Sequence, residues 1–284
     1  LANFPQLIAM RHTFRALIRK HAKTDDDKLL YEALSQNDVH HVCQAIRETQ
    51  SGEVAFQHMT LRFGSKGEQS VYQFDLSQEL RYALDVFSLY LALRQSRFQL
   101  DTYHPDLINK IVVPVDAEAL TWASGQRLLN QMIKCDAEAF SFLIPSLILP
   151  EEKESQSAVV PLLSKMRAHA SALCFDITEP NKDLSFMGQY LPDMVKLAIS
   201  LEQKEDRAAL LPFIRFFRSH RLPWIAGRVA CQNELNQYRL LGASHYFGYF
   251  SDIPTSISFK SFENYADERT QKRSDSEESS QTVE

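Results

Sequence analysis

Short apolar runs alternate along this chain with longer stretches whose apolar residues recur at helical spacing, the pattern of β/α units around a parallel sheet. The runs predict eight strands, at 39–46, 54–63, 111–115, 140–144, 172–177, 194–198, 224–229 and 245–250. Between them, 76–94, 119–133, 158–169, 184–190, 208–220 and 233–241 each place apolar residues on one helix face. Eight strands fit a closed barrel. Ahead of it, Leu7, Met10, Phe14, Leu17, Ile18 and His21 share a helix face, while Arg11, Arg15, Arg19, Lys20 and Lys23 decorate the others. That basic amphipathic helix reads as a connector packed on the barrel or leading from an upstream module; the alternative is a membrane-surface or partner-binding helix. Thr24 then offers an N-cap with Asp25, Asp26 and Asp27 in the first turn of a second helix. From 262 onward, charge and low hydrophobicity leave nothing to offset the ordering entropy, so a disordered tail is expected. The expected organisation is a connector helix over 1–27, a barrel over 28–261 and a charged tail over 262–284.

At 284 residues and 44% hydrophobic content, the chain is large enough for one barrel-sized core. Its formal charge of −5 argues against an extended basic surface for nucleic acid. Direct RNA binding stays open, because the helix around Phe213, Arg215, Phe216, Phe217 and Arg218 mixes aromatics with arginines; an ordinary outer barrel helix is the simpler reading. Cys43, Cys135, Cys174 and Cys231 are widely separated and form no Cys-x-x-Cys pair, so they read as reduced, mostly buried thiols. No long apolar run marks a membrane span or signal peptide, and the location expected is cytoplasmic. The opening Leu1 suggests a piece of something longer, with other domains or a membrane anchor elsewhere.

The stretch from Ala33 and Leu34 through Gln44 and Ile46, followed by Gly52 to His58, Met59, Thr60, Leu61, Arg62 and Phe63, resembles the opening of an EAL domain, the cyclic-di-GMP phosphodiesterase family. That opening has an Ala-Leu helix end, a strand ending in Gln-Pro, a Thr-Gly turn and then Glu-Ala-Leu-Leu-Arg-Trp. The closing segment from Val229 through Glu234, Gly242 and Gly248 resembles the family's last helix and strand, so the likeness runs from about Lys28 to Asp252. It implies an EAL-like, modified TIM-type (β/α)8 barrel with one antiparallel strand. It also implies a mouth at the C-terminal ends of the strands, where active members hold two divalent cations that generate hydroxide and clamp a phosphodiester.

Position by position, the resemblance implies a degenerate site. The eponymous Glu falls on His58; the Asn of Val-Asn-x-Ser falls on Pro114; the carboxylates of Glu-Ile-Thr-Glu fall on Leu143 and Ser146. Of the Asp-Asp-Phe-Gly-Thr-Gly loop Asp176 survives, and the lysine of Leu-Lys-Ile-Asp survives as Lys196. Ala-Glu-Gly-Val-Glu becomes Ala226, Gly227, Arg228, Val229 and Ala230, losing both carboxylates at Gly227 and Ala230, and Gln-Gly-Tyr begins at Phe247. Two hard dications need several anionic oxygens, so no metal, no cofactor and no hydrolysis are expected. Several roles stay open: His58 as a barrel histidine or a zinc ligand, Lys196 as an ion-pair partner of Asp176 or a base, and Gln44 and Arg62 as phosphate contacts or structural groups.

The expectation is therefore a non-catalytic regulatory domain of bacterial signalling, resembling CsrD-like regulators linked to RNA decay, within a larger GGDEF-EAL protein. Its expected partner is a signalling protein such as a sugar-phosphotransferase component, with a homodimer as a further option and cyclic-di-GMP disfavoured. The alternative is a catalytically silent cyclic-di-GMP receptor; an active phosphodiesterase ranks last.

Overall fold

The computed structural model describes residues 4–36, 38–64, 69–70, 74–179, 184–199 and 204–257. The first two alternating runs form β1 (Val39–Glu48) and β2 (Val54–Phe63), which pair antiparallel from Val39 opposite Phe63 down to Arg47 opposite Val54. Gly52 makes the connecting turn possible by adopting φ 74°. Beyond β2 every barrel strand runs parallel to its predecessor: β4 (Lys110–Asp116), β5 (Leu143–Ile148), β6 (Cys174–Ile177), β7 (Met194–Leu197), β8 (Trp224–Ala226) and β9 (His245–Tyr246). The last returns to β1, antiparallel at Arg47 opposite Tyr246 and Glu48 opposite His245. Eight strands thus close on themselves with β1 reversed, the modified (β/α)8 barrel expected.

Two short strands extend the sheet at the mouth. β3 (Gln69–Ser70) adds to the end of β2, and β10 (Thr255–Ile257) adds to the start of β1. With two and three residues they are too short for alternation to reveal.

Helices cover the outside: α3 (Gln78–Thr102), α4 (Ala117–Thr121), α5 (Ala123–Cys135), α6 (Ala137–Phe140), α7 (Lys153–His169), α8 (Ser185–Gln189), α9 (Lys204–Ser219) and α10 (Gln232–Leu241). Several expectations shift: the strands predicted at 224–229 and 245–250 stop at Ala226 and Tyr246, and the helix predicted at 76–94 runs on to Thr102. The helix predicted at 119–133 is split at Trp122, whose ψ of 137° ends α4 and starts α5. There the chain doubles back so tightly that a Cβ on Gly125 would sit 1.8 Å from the Ala119 carbonyl oxygen. The strand predicted at 140–144 lies three residues later, because Phe140 closes α6, held by the Asp136 side chain accepting from Ala139 N at 3.1 Å. Pro145 and Pro150 make the true run look interrupted, since proline is rare in central strands.

At the N-terminus, α1 (Phe4–His21) packs on α3: Met10, Phe14 and Ile18 are fully buried, and the Phe14 ring lies 5.5 Å from Phe87 and 5.1 Å from Tyr90. The apolar face of this helix is thus turned onto α3. α2 (Asp25–Ser35) begins with a capping box in which Thr24 Oγ1 accepts from Asp27 N and Asp27 Oδ2 accepts from Thr24 N. Asp27 Oδ1 also accepts from Ser77 N at 3.0 Å, tying α2 to the entrance of α3. The expected tail beyond 262 lies outside the described residues. Among those described, no helix is long and apolar enough to cross a membrane.

Candidate functional site

Side-chain alternation divides the core in two. Outward residues such as Leu143, Leu147, Phe175, Val195 and Trp224 join the helices, while Ile46, Val112, Ile144, Cys174, Met194 and Ile225 fill the barrel interior as an apolar plug. One step further along, toward the mouth, the inward positions turn mostly polar, with His58, Ser146, Asp176 and Lys196 beside the apolar Pro114. Above this tier opens a cavity of about 560 Å³. Mouth and plug follow from the period-two geometry of strands that all end on the same side.

The tier is a connected polar cluster. Lys196 Nζ lies 2.6 Å from Asp176 Oδ2, and both side chains are almost fully buried. The same carboxylate oxygen accepts from Ser146 Oγ at 3.0 Å. Lys196 Nζ lies 3.2 Å from His58 Nε2. An amine that only donates requires Nε2 to accept, so the imidazole is neutral with its proton on Nδ1. Burial, reinforced by the nearby positive charge of Lys196, holds the His58 pKa well below its usual value, in agreement with a neutral ring. Asp176 Oδ1 is buried with no hydrogen-bond partner among the described residues.

Phe247, just past β9, closes the cluster from the side. Its ring centroid is 4.4 Å from that of His58, and Lys196 Nζ lies 5.9 Å from its face. It fits because position 227 has no side chain: a Cβ on Gly227 would approach Phe247 Cζ and Ala198 Cβ to 3.0 Å. The β8 and β9 ends are also laced by backbone bonds, from Phe247 N to Ala226 O, Val229 N to Phe247 O and Phe250 N to Val229 O. Gly248 permits this approach, since a Cβ there would lie 2.1 Å from the Val229 carbonyl oxygen.

Of the residues singled out in the sequence, Gln44, His58, Arg62, Pro114, Asp176, Lys196 and Phe247 all line the cavity, and Gly227 supports its wall. The Lys196 partner is Asp176, the ion-pair option. Gln44 is partly committed, donating from Nε2 to the Asp252 carbonyl at 2.8 Å. Two residues lie elsewhere. Leu143 is the first residue of β5, paired with Ile111 and buried against the outer helices; the displaced strand places Ser146, beside Pro114, at the mouth instead. Ala230 lies exposed beyond β8, outside the cavity lining, where its N–H donates to Glu234 Oε2.

Asp85 and Arg228 also line the cavity and were not singled out as site residues. Asp85 comes from α3, where helical periodicity marks it only as a polar position. Burial pushes its pKa up to about 7, against the pull of the Asp116 N–H it accepts at 2.8 Å and with a further push from the Asp116 carboxylate. Arg228 is exposed and adopts φ 60°, the left-handed region that non-glycine residues seldom occupy. Its signal was available: it stands where the resembled motif has glycine.

Donors for a two-cation cluster are sparse. Pro114 and Phe247 bring no side-chain oxygen, Gly227 brings none, and the Asp176 carboxylate is engaged by Lys196 and Ser146. Among the described residues no three His, Cys, Asp or Glu side chains converge as a metal site.

Neither a family model nor a curated protein sequence matches the chain. Solved structures do resemble it. The PaMucR phosphodiesterase in its c-di-GMP complex superposes with a TM-score of 0.68 at 19% identity, over 82% of this chain and 98% of that one. The Bacillus subtilis YkuI protein with an EAL domain, in complex with c-di-GMP and calcium, gives 0.65 at 17%, over 89% of this chain and 64% of that one. An EAL domain protein from Listeria monocytogenes EGD-e gives 0.58 at 12%, over 83% and 95%. At these identities the likeness establishes the fold, an EAL-type barrel.

Proposed function

We propose that this chain is a non-catalytic EAL-like barrel that regulates by binding another protein in bacterial signalling. The observation that carries the reading is the buried Lys196 to Asp176 ion pair at 2.6 Å, with Ser146 on the same oxygen. A dication entering here would have to displace Lys196 from Asp176 and find further oxygens where Pro114, Gly227 and Phe247 offer none, while the other carboxylate lining the cavity, Asp85, is held by the Asp116 N–H. Desolvating such an ion costs on the order of several kcal/mol, which two carboxylates already engaged in hydrogen bonds do not offset. His58 against Phe247 adds hydrocarbon where the chemistry needs a hydrophilic cluster. The finer placement, beside CsrD-like regulators with a phosphotransferase-type partner inside a larger GGDEF-EAL protein, rests on the sequence resemblance alone.

Incubating the purified chain with cyclic-di-GMP and magnesium or manganese should yield no linear dinucleotide. Product that disappears in Asp176→Ala would overturn the reading. A silent cyclic-di-GMP receptor is the second reading, favoured by a cavity in the usual 300–1,000 Å³ range for small ligands that offers Gln44, Arg62 and Arg228 around aromatic faces. Calorimetric titration separates the two: micromolar or tighter binding of the dinucleotide favours the receptor.

A further inference from the structure

The rim of the cavity combines three features that the buried cluster does not explain. The first is Arg228, an exposed cation that lines the cavity and forms no ion pair or side-chain hydrogen bond among the described residues. Its φ of 60° places a Cβ where sterics disfavour one, a strain that glycine avoids. Gly227 immediately before it does not take that conformation; the arginine does. The second is the turn after β9, which carries Tyr249 at 66%, Phe250 at 39% and Ile253 at 79% exposure. Tyr249 lines the cavity, and large apolar side chains left exposed together on one short turn beside it mark a surface that is covered in use. The third is rigidity. Val229, the neighbour of Arg228, donates to Phe247 O and accepts from Phe250 N, so the arginine and the apolar turn are held in fixed relation. Asp252, in the same turn, is occupied by Arg47 through two bonds of 2.7 and 2.8 Å and so does not neutralise Arg228.

We propose that this rim is the docking surface for an acidic segment of a partner protein, a carboxylate pairing with Arg228 while an adjoining apolar side chain covers Tyr249 and Ile253. This rests on the protein-binding reading above and names the chemistry of the partner. Arginine beside aromatics is the usual composition of an interface hot spot, and its fork matches a carboxylate with two parallel bonds. Arg62 adds positive charge to the same mouth in a chain whose net charge is −5, so charge complementarity favours an acidic occupant at this rim. A second copy of the chain and a small anion are the competing occupants.

The test is selection of twelve-residue peptides from a random display library on the immobilised full chain, followed by fluorescence anisotropy of the enriched peptides. Expected are sequences with Asp or Glu beside Leu, Phe or Trp, whose affinity falls at least tenfold in Arg228→Glu and in Ile253→Glu and weakens with salt. Arg228→Gly guards against misfolding: it should unfold at or above the parental temperature, because the left-handed position is relieved, yet lose the peptide. No enrichment, enrichment of basic or neutral peptides, or equal binding to Arg228→Glu would overturn the proposal. So would concentration-dependent dimerisation that Arg228→Glu abolishes, or displacement of the peptides by inorganic phosphate at the affinity of a dedicated anion site. None of these outcomes bears on turnover of cyclic-di-GMP, so the broader reading stands or falls separately.

Discussion

At the scale of single residues, the mouth depends on charges that are satisfied only by each other. Lys196 and Asp176 are both buried, and removing one leaves the other without compensation in a poorly solvated place. Lys196→Met should cost about 3–5 kcal/mol of unfolding free energy by urea titration. Adding Asp176→Leu should recover most of it; a double variant as unstable as the single would show that the pair is not the cause. His58 belongs to this unit through its acceptor nitrogen, which explains why an imidazole is tolerated there without an acidic partner. The sequence located these residues because their neighbours keep the resembled motifs. It misplaced Leu143, since two prolines near β5 hid three residues of frame, and a motif read in the wrong frame exchanges an inward side chain for an outward one.

Among elements, the N-terminal helices are fastened rather than appended. Asp27 closes the capping box of α2 and reaches Ser77 N at the entry of α3, while α1 lays Met10, Phe14 and Ile18 on the outer side of α3. Burial pushes the Asp27 carboxyl upward, but three backbone N–H groups, from Thr24, Lys23 and Ser77, outweigh it and bring the pKa to about 2. Asp27→Ala should therefore loosen both helices, lowering stability by about 1.5–3 kcal/mol and opening 21–28 to limited proteolysis. Unchanged cleavage there would show that the apolar face of α1 suffices. The amphipathic spacing of α1 was legible in sequence, but which surface it covers was not, because periodicity reports a face and not its neighbour.

For the whole molecule, the barrel was legible because eight strands and their helices must alternate for a parallel sheet to close, whereas β3 and β10 are too short to leave a pattern. Global stability should carry the signature of its buried titratable groups. Burial depresses the pKa of His41 to about 3 and that of His58 far below the usual value, so the unfolded chain takes up their protons first as pH falls below about 6.5. Asp85, raised to about 7, acts oppositely: its stabilising contribution is present below the ordinary carboxylate range and fades as pH rises toward 7. The depressed histidines, His21 and His245 among them, outnumber the one raised carboxylate and predict a net loss of stability on acidification below pH 6.5. Asp85→Asn should steepen that fall and raise stability at pH 8; a flat profile would mean that these groups are solvated. Finally, Phe247 occupies the volume that Gly227 leaves vacant. A glutamate placed at 227 would crowd the Phe247 ring, and a glutamine placed at 247 would leave a hole beside the bare Gly227 backbone. The two positions are therefore sterically interlocked, so a side chain at 227 requires a smaller one at 247 in the same molecule.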